Sequence, residues 1–130
     1  MTNQDLKELL QSTYFNNVDT ARAREAIAAF TPDVRWQHTQ VWAHDGHDSR
    51  YTDRIEGREA LFHFMDERVK EMQVVQIRHQ VDEAIVSGNR GAFRAQVIGP
   101  EGDSIGFIGW VELCDGLIDH YIVMPESYSI

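Results

Sequence analysis

Val86-Ser-Gly-Asn-Arg-Gly-Ala-Phe-Arg-Ala-Gln-Val97 and Cys114-Asp-Gly-Leu-Ile-Asp-His-Tyr-Ile-Val123 decide the fold of this chain. In each, apolar residues alternate with polar ones beside a short glycine-bearing break. That pattern predicts half-buried strands joined by tight turns. Read outward, they belong to a meander with strands near 75–86, 92–98, 104–113 and 117–124. The breaks are Ser87–Gly91, Gly99–Asp103 and Cys114–Gly116, all turn chemistry.

Upstream the period changes. Leu6, Leu9, Leu10, Thr13, Tyr14 and Val18 recur at spacings of three and four, the stripe of an amphipathic helix. Thr2 and Asp5 form a capping-box pattern at its start. Ala23, Ala26, Ile27 and Phe30 predict a second helix, ended by Thr31-Pro32-Asp33. Val34, Trp36 and His38 then alternate with Arg35, Gln37 and Thr39 as a strand. Residues 40–56 show no helical period and predict an irregular binding loop. Leu61, Phe64, Met65, Arg68, Val69 and Met72 share a face of a third helix after Gly57. Helices kept apart from an antiparallel meander define an α+β fold. A strongly curved sheet wrapped around the long first helix makes a cone with an open mouth.

A chain of 130 residues, 42% hydrophobic and 25% charged, is expected to be one domain spanning 1–130. The net charge of −9 argues against nucleic acid and anionic membranes as partners. The lone Cys114 excludes an intrachain disulfide. No signal-peptide pattern opens the chain and no apolar run approaches the roughly 20 residues of a membrane span, so a cytoplasmic location is expected.

Tyr14, His38 and Asp119 are polar groups on or beside apolar faces. Carrying such groups inward without partners costs roughly 2–7 kcal/mol each. They therefore point to a wet interior pocket that binds a small molecule. Asp119, Tyr121 and Val123 share one side of the last strand; Ile118, His120 and Ile122 share the other. Pattern alone leaves open whether Asp119 or His120 faces inward.

The order of elements resembles the nuclear-transport-factor-2-like superfamily, in particular the SnoaL-like polyketide cyclases and ketosteroid isomerases. The residues that carry the resemblance are the Tyr14 helix, AIAAFTPDVRWQH (26–38), IEGREALFHFM (55–65), VSGNRGAFRAQV (86–97) and CDGLIDHYIV (114–123). The resemblance implies a cystatin-like α+β barrel. It puts Tyr14 where ketosteroid isomerases hold the substrate oxygen and His38 where their proton-shuttling aspartate stands. Their second oxyanion acid falls on Gly109, and the Trp-Asp of many cyclases is replaced by Tyr121-Ile122. It favours Asp119 inward, orienting His38 or acting as base.

The reaction class implied is isomerase, dehydratase or cyclase proton transfer on a mostly apolar, oxygen-bearing substrate. No cofactor and no metal are expected, although His44, Asp45, His47 and Asp48 are metal-capable types in the loop. Trp36, Phe93, Phe107 and Tyr121 are expected in the pocket wall, with Gly109 leaving room and Trp42 and Tyr51 closing over the ligand. His79 alternates with Ile77 and Val81 and is expected to be a satisfied core or edge histidine. Ile108 and Trp110 lie on the opposite sheet face, where relatives pair, so a homodimer is expected. The alternative function is a non-catalytic hydrophobic-ligand or dimeric adaptor domain.

Overall fold

The computed structural model describes residues 1–42 and 51–127. Its order is α1 (Asn3–Glu8), a π-helical stretch Leu9–Phe15, α2 (Asn16–Asp19), α3 (Ala23–Ala26), a 3₁₀ turn Ile27–Ala29, β1 (Phe30–Thr39), β2 (Thr52–Glu56), α4 (Arg58–Val75), β3 (Arg78–Ser87), β4 (Arg90–Ile98), β5 (Ser104–Cys114) and β6 (Leu117–Pro125). The six strands form one curved, unclosed sheet in the order β2-β1-β6-β5-β4-β3. The helices pack on its inner face. The α+β class and the meander hold. The sheet is mixed, because β1 pairs with β6 in parallel.

Two boundaries differ from the sequence pattern. Helix α3 is a single turn, and Phe30 already begins β1. Pro32 is tolerated there because the β1–β6 register breaks between Phe30 and Arg35, so no ladder hydrogen bond is needed from it. Residues 52–56 are a strand, not loop: β2 pairs antiparallel with β1, Thr39 opposite Thr52.

Local chemistry explains the ends. Thr2 Oγ1 accepts from the Asp5 N–H at 3.0 Å and the Thr2 N–H donates back to Asp5 Oδ2 at 2.9 Å, the capping box expected. Asp115 and Gly116 have φ of 52° and 78°, the two left-handed residues that a tight twisted hairpin requires. The first helix buries Leu6, Leu10, Tyr14 and Val18 at spacings of four, with Phe15 beside them. Such a row drifts around an α-helix of 3.6 residues per turn. The wider π winding of Leu9–Phe15 offsets that drift and keeps Tyr14 aimed at the sheet.

β3 is an edge strand, and helix side chains close it. Gln11 Oε1 accepts from the Val81 N–H at 2.6 Å, and Asp19 Oδ2 accepts from the His79 N–H at 2.7 Å. Asn3 Oδ1 accepts from the Val86 N–H at 2.8 Å. These bonds occupy backbone donors that would otherwise invite another strand. Among the described residues no helix is long and apolar enough to cross a membrane.

Candidate functional site

Alternation along β1 puts Val34, Trp36 and His38 on the inner face. β1 pairs Trp36 with Tyr121 and His38 with Val123 on β6. The Trp36 ring therefore stacks between His38 (centroids 5.4 Å, 10°) and Tyr121 (5.9 Å, 6°). Tyr14 meets this column from the helix. Its hydroxyl accepts from Trp36 Nε1 at 3.3 Å, and the Tyr121 phenol is its other polar neighbour.

These groups line one hollow, together with Phe15, Val41, Met65, Arg68, Met72, His79 and Phe107. Tyr14, Trp36, His38, Phe107 and Tyr121 thus border the same hollow. The hollow measures about 30 Å³. A water needs about 10–15 Å³, so the hollow has room for one or two. Met65, Arg68 and Met72 of α4 form one wall of it. Met65 and Met72 are the flexible part of that wall, and unbranched thioethers repack easily.

Burial sets the electrostatics. Withdrawal from water raises the Tyr14 phenol well above its ordinary range, against the opposing hydrogen bond from Trp36. Burial also raises Tyr121, with Tyr14 adding to it. His38 moves the other way. Burial first, then the charge of Arg68, push it down to about 3, so its imidazole is neutral at physiological pH.

Two polar pairs flank the hollow that sequence patterns leave unassigned. Arg68, buried on α4, donates from Nη2 to Gln40 Oε1 at 2.5 Å and lies 3.6 Å from Asp53 Oδ2. Asp53 arrives there because it faces His38 across the β1–β2 ladder. Arg68 offered a signal, a charge within an apolar helical stripe. Gln40 and Asp53 lay in a segment without periodicity. The second pair is Asp19 and His79. Asp19 Oδ1 lies 2.6 Å from His79 Nδ1, with the side chains 12% and 9% exposed. The His79 ring stacks on Phe15 at 4.9 Å and meets the edge of Phe107 at 6.2 Å. His79 is a satisfied histidine, as expected, and also a wall of the hollow.

Other expectations need correction. Asp119 does not reach His38. The β5–β6 register passes from Glu112–His120 to Leu113–Ile118, which leaves Asp119 as the extra residue of a bulge. The bulge turns Ile118 inward with Tyr121 and lets Asp119 Oδ1 accept from Thr31 Oγ1 at 2.7 Å, outside the hollow. His120 points to the other face, 3.4 Å from Glu112. Phe93 is buried but does not line the hollow; its ring fills the space over Gly109, where an added Cβ would come within 2.2 Å of it. Gly109 therefore leaves room for Phe93, not for a ligand. Trp42 packs on Gly99, and Tyr51 is half exposed with its carbonyl accepting from the Gln40 N–H at 2.7 Å. Neither closes over the hollow. His44, Asp45, His47 and Asp48 lie outside the described residues, among which no cluster of metal-ligating side chains occurs.

An open, curved six-stranded sheet packed against helices on one face is the architecture of the cystatin-like, nuclear-transport-factor-2-like class. A family profile described as a SnoaL-like domain matches residues 12–121, and the chain belongs to that family. No curated protein sequence matches it. Among solved structures, a protein provisionally assigned as a ketosteroid isomerase from Kribbella flavida DSM 17836 is 19% identical, with 100% of this chain and 85% of that one covered at a TM-score of 0.66. A protein of unknown function with a cystatin-like fold from Methylobium petroleophilum PM1 is 13% identical, covering 100% and 81% at 0.71. A protein provisionally assigned as a polyketide cyclase from Sinorhizobium meliloti is 18% identical, covering 95% and 100% at 0.64. At these identities the likeness establishes the fold.

Proposed function

We propose that this SnoaL-like protein is a cofactor-independent enzyme of the isomerase, dehydratase or cyclase type, acting by proton transfer on a small, mostly apolar, oxygen-bearing molecule. One observation carries it: the Tyr14 phenol and the His38 imidazole converge on one buried hollow. A phenol in a water-poor site is an oxyanion donor for a carbonyl that becomes an enolate. Neutral His38 beside it contacts the same substrate.

The test uses cyclohex-3-enone in D₂O, with deuterium uptake followed by proton NMR, and 4-nitrophenol as an oxyanion mimic. The wild type is expected to accelerate uptake and to bind the phenol. Tyr14→Phe should lose about 10²–10³-fold in rate. A wild type that neither exchanges the ketone nor binds the phenol overturns the proposal.

The small hollow favours a second reading, an adaptor that works through its outer surface. The convex sheet face carries Ile85, Ile108, Trp110, Ile122 and Met124 around an apolar groove of about 360 Å³. Charged Glu83 and Arg94 border it, the mixed-sign rim that two copies related by a two-fold axis can satisfy reciprocally. Pairing of two copies through this face is compatible with either function.

A further inference from the structure

Two imidazoles border the hollow, and the structure treats them differently. His38 makes no side-chain hydrogen bond to another described residue, and its place between burial and Arg68 keeps it neutral. A neutral imidazole held that far from protonation is a poor proton acceptor. It is suited to donating a hydrogen bond without losing its proton.

His79 is built for the complementary task. Asp19 grips it twice: Oδ2 takes the backbone N–H at 2.7 Å and Oδ1 faces ring Nδ1 at 2.6 Å. The first bond closes the edge of β3 and would serve that purpose alone. The second fixes the ring. With Nδ1–H donating to the carboxylate, Nε2 is the bare nitrogen, and no described residue hydrogen-bonds it. Phe15 and Phe107 hold the ring from face and edge. The same ring borders a surface groove beside Gln11, Asn16 and Thr20, an exit to solvent for a proton.

We propose that His79, oriented by Asp19, is the proton-transfer group of this hollow, and that His38 is a neutral hydrogen-bonding partner. The inference rests on the proton-transfer reading above. In the step, the α C–H bond of a bound ketone breaks and its proton passes to His79 Nε2. The bonding electrons form the C=C bond of an enolate, whose oxygen is held by the Tyr14 O–H. Return of a proton from Nε2 to carbon completes isomerisation or exchange and restores the bare nitrogen. Asp19 acts through His79 and is a positioning residue.

The experiment compares wild type, His79→Asn, Asp19→Asn and His38→Gln in the cyclohex-3-enone exchange. The asparagine amide at 79 can keep the hydrogen bond to Asp19 while removing the base; thermal melts verify folding. His79→Asn should lose about 10²–10⁴-fold, more than His38→Gln. Asp19→Asn should lower kcat with KM little changed and displace the acidic limb of the pH–rate profile, which a purely structural role would leave in place. If folded His79→Asn keeps its rate while His38→Gln abolishes it, the assignment is overturned. If the wild type shows no exchange, the proton-transfer reading falls, and nitrogen NMR of labelled protein decides the remainder. A proton on Nδ1 and a bare Nε2 perturbed by 4-nitrophenol support a proton acceptor facing the hollow; a proton on Nε2 or an unperturbed ring overturns it.

Discussion

Replacing His38 with Gln should flatten the acid side of the stability curve. The folded protein holds this imidazole at about 3, against an ordinary value of 6.5. Because the folded value lies below the unfolded one, the histidine is neutral in both states above about pH 7 and costs nothing there. Between 6.5 and about 3 the unfolded chain takes up a proton that the folded chain refuses, so acidification favours unfolding. From 6.5 down to about pH 5 is about one and a half pH units, worth about 1.36 kcal/mol each, or about 2 kcal/mol in all. The ring keeps a partly exposed edge, and solvent there screens some of the effect. A loss of about 1–2 kcal/mol is therefore expected.

Urea denaturation at about pH 7 and about pH 5 measures it, read as the difference between wild type and His38→Gln so that carboxylates shared by both cancel. With a urea slope of about 2 kcal/mol per molar, the wild-type midpoint should fall by about 0.5–1 M more than that of the variant. Equal shifts in the two proteins would show that His38 titrates normally. The neutral imidazole assigned to the hollow would then be wrong.

Three further outcomes follow from packing. Gly109→Ala should destabilise by about 1–3 kcal/mol in a thermal melt, because the new methyl meets the Phe93 ring at 2.2 Å. Asp119→Ala leaves the buried Thr31 hydroxyl without its acceptor and should cost about 1–3 kcal/mol. It should lower the exchange rate only through stability, since this carboxylate does not border the hollow. Trp110→Arg places a cation in the convex groove. It should shift a dimer to monomer in light scattering after gel filtration, while a wild type that is already monomeric would refute pairing through that face.

Periodicity made most of this fold legible. The π-helical segment shows how far it reached: a spacing of four over Leu6, Leu10, Tyr14 and Val18 is visible in the chain, and the winding that accommodates it is its physical consequence. Tyr14, Trp36 and His38 could be placed because each lies on a face set by local repeat. Asp119 could not. Strict alternation assigns it to the side of Tyr121, and a single bulge residue reverses the local pattern. Phe93 and Gly109 were read as wall and vacancy because cross-strand pairing is invisible until the register is known. Asp19 resembles an ordinary helix-break residue, and its role appears only when β3 is laid along the helix, 60 residues later in the chain.

That distance bears on how the site came to hold two imidazoles of different character. An edge strand must cover its free N–H groups, and the end of the first helix is the nearest source of acceptors. A carboxylate at Asp19 does so with one oxygen and has the other to spare for the side chain of the residue it caps. His38 sits on an interior strand, between β2 and β6, opposite Asp53, whose carboxylate lies 3.6 Å from the Arg68 guanidinium. The same sheet thus supplies two histidines, of which His79 has a carboxylate partner and His38 has no side-chain hydrogen bond to another described residue. If Asp19 serves only the edge, moving the carboxylate to Glu should preserve the cap and leave the state of the His79 ring unchanged. If the ring contact matters, the longer side chain should disturb the His79 tautomer seen by nitrogen NMR even where the melting temperature is retained, and it is that separation of the two readouts that distinguishes a cap from a site.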